Sequence, residues 1–96
     1  MKRIKYRDIG DNKFRSTASF PHPTNGAVYY IVLDFTNEPK FEIWDEVSNT
    51  RVVYGFGVSA HRLKILAKNS LINLGFLELL GIERRDVIRS KKNNEV

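Results

Sequence analysis

The 96 residues predict an α+β fold. An antiparallel β-meander of three to four strands comes first, then one main helix packed on the sheet, then a short C-terminal helical turn. Three observations carry this prediction. Between residues 12 and 56, segments of alternating or continuous apolar character are separated by turns of a few residues. Gly55-Phe56-Gly57-Val58-Ser59 then breaks the extended pattern. Beyond Ser59 the apolar spacing changes from two to between three and four, as in a helix.

Residues 12–20 alternate, with Phe14, Ala18 and Phe20 on one side and Arg15, Thr17 and Ser19 on the other, as in a half-buried strand. Pro21-His22-Pro23-Thr24-Asn25-Gly26 is a turn, because the prolines stop pairing and Asn-Gly tolerates positive φ. His22 between two prolines reads as an exposed turn residue. Residues 28–35 are apolar on both sides, which places them centrally with cover on both faces. Residues 40–47 alternate again: Phe41, Ile43, Asp45 and Val47 oppose Glu42, Trp44 and Glu46. Residues 51–56 put Val52, Tyr54 and Phe56 on one face. Ser59 suits the N-cap of a helix over residues 60–74, and Gly75 suits its left-handed end. Residues 76–80 are expected to form a further turn and 83–88 a short helix. One domain over residues 1–89 and a disordered tail over 90–96 are expected.

At about 100° per residue, Leu63, Leu66, Ala67, Ser70, Leu71 and Leu74 cluster on one side of the helix, the stripe that must lie on the sheet. Ile65 and Ile72 fall almost opposite, among His61, Lys64, Lys68 and Asn69. An apolar centre with a polar rim marks an interface, so Ile65 and Ile72 are the candidate partner or homodimer contact. The competing reading is that residues 76–88 fold back over them.

The chain has no cysteine, which excludes disulfides, thiolate metal sites and thiol nucleophiles. Its longest apolar run, residues 27–33, is far short of the roughly 20 residues a membrane-spanning helix needs, and no apolar run follows the basic start. A soluble cytoplasmic protein with no membrane association is expected. The two histidines, His22 and His61, lie on different elements without a second ligand at metal spacing, so neither a metal nor a cofactor is expected. Ser59 and His61 have nothing to orient them as a triad, and Gly55-Phe56-Gly57 is too short for a phosphate loop. No enzymatic site and no small-molecule substrate are expected.

The net charge of +5 is unevenly spread: residues 1–15 carry six bases and two acids, and residues 51–75 carry Arg51, Arg62, Lys64 and Lys68 with no acid. Between them Asp34, Glu38, Glu42, Asp45 and Glu46 face Lys40 alone. A polyanion is therefore expected to approach the helix and the termini rather than the strands. The candidate nucleic-acid ligands are His61, Arg62, Lys64 and Lys68 on the helix, Arg51 before it, and Lys2, Arg3 and Lys5 at the N-terminus. The basic residues Arg84, Arg85, Arg89, Lys91 and Lys92 are a further cluster. Tyr29, Tyr30, Trp44 and Tyr54 are expected in the core or in cross-strand pairs rather than stacked on bases.

Residues 51–60, Arg-Val-Val-Tyr-Gly-Phe-Gly-Val-Ser-Ala, resemble the last strand, tight turn and helix start of three-stranded-sheet-plus-helix DNA-binding domains. These are the plant ethylene-response-factor type and the arm-type domain of tyrosine recombinases. Gly55, Gly57 and Ser59 followed by His61, Arg62 and Lys64 are also similar to the end of a double-stranded-RNA-binding domain. The resemblance spans residues 40–74 and implies a sheet-plus-helix topology and a basic helix start. It departs from the plant domain, which reads DNA with Arg and Trp on its strands, in that Glu42 and Glu46 flank Trp44 on the matching strand. The function expected is that of a small non-enzymatic nucleic-acid-binding protein, acting through a basic helix face and basic termini. The alternative is a protein-interaction module, such as a small phage or mobile-element inhibitor or accessory factor, using the outer face of the helix.

Overall fold

In a computed structural model, residues 3–76 are described. They form an antiparallel sheet with one helix packed on it. The strands are β1 (Tyr6–Gly10), β2 (Lys13–Ser16), β3 (Phe20–Pro21), β4 (Val28–Asp34), β5 (Lys40–Asp45) and β6 (Thr50–Phe56), and the helix is α1 (Ala60–Asn73). The order across the sheet is β1-β2-β4-β5-β6, with β3 also paired to β4. The sheet is wider than the three to four strands expected. The expected turn over 76–80, helix over 83–88 and tail over 90–96 lie outside the described residues, apart from Phe76.

The added strand, β1, belongs to an N-terminal hairpin. Asp11 and Asn12, at φ 54° and 60°, are its two central turn residues, both in the left-handed region that matches strand twist. Tyr6 pairs with Ser16 and Arg7 with Arg15. The segment expected as one strand over 12–20 is broken in two. Ser16 is fully buried, and its hydroxyl accepts the Ile31 N–H at 3.0 Å and donates to the Ala18 carbonyl at 2.9 Å. A side chain thus replaces one rung of the β2–β4 ladder. Pairing resumes at Phe20↔Tyr29.

Strand β4 is central, as expected. Tyr29, Ile31 and Leu33 face α1, and Phe41 and Ile43 from β5 join them through the pairs Ile31↔Ile43 and Leu33↔Phe41. On β6 the contribution to this face is Val53, opposite Ile43, and not Val52. The pairs Ile43↔Val53 and Trp44↔Arg51 leave Val52 as an extra residue, a bulge that shifts the alternation. Val52, Tyr54 and Phe56 are all exposed. Gly55 lies opposite Phe41, where a Cβ would come within 2.7 Å of the Phe41 ring.

Leu63, Ala67 and Leu71 of α1 are fully buried on this surface, with Leu66 and Leu74 packed beside them, as the helical projection requires. The Ser59 hydroxyl accepts the Arg62 N–H at 3.1 Å, as an N-cap should. At the other end Phe76 N–H donates to Leu71 C=O and Gly75 N–H to Ile72 C=O, with Gly75 at φ 119°. This is the Schellman arrangement, and it drops Phe76 into the core.

His22 is not an exposed turn residue. It is half-buried and ties the β3–β4 loop to the helix end. Its Nδ1 accepts the N–H groups of Thr24 and Asn25, both at 3.1 Å, which leaves the ring hydrogen on Nε2 to donate to the Leu74 carbonyl at 2.6 Å. Its ring stands edge-on to Tyr29 and Phe76.

Two substitutions test this packing by urea unfolding. Gly55→Ala is expected to lower stability by about 1–3 kcal/mol, because the Phe41 ring must move. Ser16→Ala is expected to cost about 1–3 kcal/mol, because the Ile31 N–H loses its acceptor. A midpoint unchanged from wild type in either variant would contradict the packing described.

Candidate functional site

The helix lies over β4, β5 and β6, so the same surface above β1 and β2 is only partly covered. Between the β1–β2 hairpin, its leading residues and the first turns of α1 lies a cavity of about 510 Å³. Its walls are Ile4, Tyr6, Phe14, Leu33 and Phe35, with Ala60 from the helix. Arg3, Lys5 and Lys64 also line it, and no carboxylate among the described residues does. Phe14 and Phe35 meet edge to face at 5.9 Å.

Tyr6 is the polar oddity of this lining. Its phenol oxygen is buried and has no hydrogen-bond partner. Burial pushes its ionisation well above the usual tyrosine range. The Lys64 ammonium stands 5.5 Å from the centre of its ring, within cation–π reach. The first turn of α1 carries no acid of its own to meet the positive end of the helix dipole.

The predicted cations therefore divide. Arg3, Lys5 and Lys64 come together around the cavity. His61 and Arg62 are exposed on the first turn of the helix nearby. Lys68 is half-buried and engaged within the chain. Arg51 does not join them. It pairs across from Trp44, on the opposite face of the sheet, where it donates to Glu42 at 2.9 Å and lies 4.2 Å over the Tyr54 ring. Lys2 and the basic residues beyond Phe76 lie outside the described residues.

That opposite face is a lattice of paired charges on aromatic rings. Arg15 lies 4.0 Å over Tyr30 and bonds Glu46 at 3.0 Å, while Lys40 stands 3.9 Å from both Asp34 and Glu42. Burial works against ionisation of Asp34, but hydrogen bonds from Thr36 and the charges of Lys13 and Lys40 outweigh it and hold its carboxyl below the ordinary range. Val32 is buried on this face between its cross-strand neighbours Arg15 and Glu42. The second cover expected for β4 is thus made by long side chains, with no further layer among the described residues. Of the expected aromatics, Tyr29 is core, Tyr30 and Trp44 are half-buried, and Tyr54 is exposed.

Ile65 is half-buried. Ile72, expected to point away from the sheet, is half-buried and packs against the core. The two do not form one exposed apolar centre. Sequence reasoning missed Tyr6, Phe14 and Phe35 as partners of the basic residues. The available signal was the alternation of Ile4, Tyr6 and Asp8 before the Asp11-Asn12 turn.

Among the described residues, no group of three or more His, Cys, Asp or Glu is placed to hold a metal ion, and no helix is long and apolar enough to cross a membrane. No protein-family model matches this chain, and no curated protein or solved structure matches it significantly.

The two isoleucines are expected to separate on substitution. Ile72→Asp places a carboxylate against the core and should lower the urea midpoint markedly, whereas Ile65→Asp, at a half-buried position outside the core cluster, should lower it less. Equal effects would contradict the placement of Ile72.

The Tyr6 phenol gives a pH test. Its ionisation is raised in the folded chain, while the unfolded chain releases the proton near pH 10. Above that pH the unfolded state binds fewer protons, so the stability contributed by neutral Tyr6 is complete below about pH 10 and is lost as pH rises further. Thermal unfolding between pH 8 and 11 should fall more steeply for wild type than for Tyr6→Phe. Parallel declines would show that the phenol is not buried.

Proposed function

We propose that this chain binds a polyanion, namely nucleic acid, through the basic surface formed by its N-terminal segment and the start of α1. One observation carries this reading. Arg3 and Lys5, which precede or begin the hairpin, meet Lys64 of the helix around one cavity that no described carboxylate lines. Two basic clusters that are far apart in the sequence become one surface. His61 and Arg62 are exposed on the same turn of the helix but do not line the cavity.

The charge economy of the sheet supports the same direction of approach. Glu42 and Glu46 are each ion-paired, with Arg51 and Arg15, so the cations of that face are engaged in holding the sheet's own acids. Cations at the cavity have no such acids beside them in its lining. A phosphate backbone approaching there meets ammonium and guanidinium groups, and binding then draws its free energy largely from counterion release. The role is non-enzymatic. The residues lining the cavity are basic, aromatic and aliphatic, and offer no paired acid and base for proton transfer.

Fluorescence anisotropy with labelled oligonucleotides tests the reading. Affinity should fall steeply between about 50 and 200 mM salt. Lys5→Gln combined with Lys64→Gln should weaken binding and reduce the slope of log K against log salt by about 1.4 to 1.8, since each lysine accounts for nearly one counterion. Absence of binding to any single strand or duplex at the lower salt concentration would overturn it.

A further inference from the structure

The cavity has more than cations to offer, and its walls distinguish between kinds of nucleic acid. A purely electrostatic surface for a phosphate backbone needs no recess. Here three aromatic rings, Tyr6, Phe14 and Phe35, line a space of about 510 Å³ whose remaining members include Arg3, Lys5 and Lys64. That volume lies within the range of small-ligand pockets, about 300–1,000 Å³. Aromatic walls with adjacent cations match an object that has a flat π-face and an attached anion.

We propose that the cavity takes one unpaired nucleotide of a single strand, with its base against Tyr6, Phe14 and Phe35 and its phosphates against Lys5, Lys64 and Arg3. This rests on the nucleic-acid reading above and narrows it. Base–aromatic stacking is tolerant of sequence because every base has a π-face, so the site favours single strands without choosing strongly among bases. A duplex presents its phosphates equally well but keeps its bases in the stack. It fills the recess only after a base is unpaired and turned out, at a cost in free energy.

The test uses the full chain at low salt and three probes of equal length: a single strand, the duplex of the same sequence, and an abasic sugar-phosphate strand. The single strand is expected to bind about tenfold more tightly than the abasic strand, whose charges are the same but which has no base to stack. It should also bind more tightly than the duplex. Ala60→Leu, which adds aliphatic bulk without an aromatic face at an exposed helix position lining the cavity and removes no cation, should reduce the advantage over the abasic strand. Phe35→Leu, which keeps an apolar wall but removes one ring, should reduce the same advantage. Equal affinity for the single and abasic strands overturns base insertion and leaves the electrostatic reading standing. An advantage that survives both Ala60→Leu and Phe35→Leu overturns the cavity as its source. Failure of all three probes to bind removes the nucleic-acid reading itself.

Discussion

One helix must cover a sheet that is wider than it is, and the rest of the arrangement follows from that mismatch. A helix with its side chains is about 10–12 Å across, and strands lie about 4.7–4.9 Å apart, so a single helix shields two to three strands. This sheet is five strands wide along β1-β2-β4-β5-β6. Helix α1 sits over β4, β5 and β6, where Leu63, Ala67 and Leu71 meet Ile31, Leu33, Phe41 and Ile43. Its position is fixed at both ends. Gly57 leaves no room for a Cβ beside Leu63, and Phe76 and His22 hold the far end through the Schellman turn and the Leu74 carbonyl. The surface above β1 and β2 is what remains, and the cavity is its consequence.

The two sides of the sheet solve the same burial problem by different chemistry. Toward the helix, apolar side chains interlock, and Ser16, the one buried polar residue there among the described residues, makes both its hydrogen bonds to the backbone. Away from the helix, arginines lie on tyrosine rings while their guanidinium groups bond carboxylates. Such pairs shield Val32 with their aliphatic and aromatic surfaces while keeping charged ends at the solvent. The acidity that the central stretch shows in sequence is therefore largely internal, matched by Arg15, Lys40 and Arg51. The basic excess that is left is drawn from the N-terminus and the helix start.

Much of this was legible in the sequence because period and capping are local. The apolar run of β4, the alternation of β5, the helix stripe from Leu63 to Leu74, the Ser59 cap and the Gly75 terminus all follow from nearest-neighbour chemistry. What failed to show depended on distant partners or on one uncounted residue. Strand β1 was masked by its charges, which exposed edge-strand positions tolerate. Val52, Tyr54 and Phe56 share one face of β6 as expected, but that this is the exposed face, and that Val52 forms a bulge, has no mark in composition. His22 gains its place only because Leu74 and Phe76 arrive beside it. The cations of the candidate site were identified as residue types, but their grouping required β1 to exist and α1 to be placed. Arg51 precedes the helix on the last strand and lies on the opposite face in space for the same reason.

The central claim is that the partly covered flank between α1 and the β1–β2 hairpin is where a single strand docks. Amide chemical-shift mapping of the full chain with an unlabelled single-stranded oligonucleotide addresses it most directly. The largest changes are expected on Arg3, Ile4, Lys5 and Tyr6 and on Ala60 through Lys64. Changes centred instead on Arg51, Tyr54 and Phe56, with the flank unmoved, would contradict it.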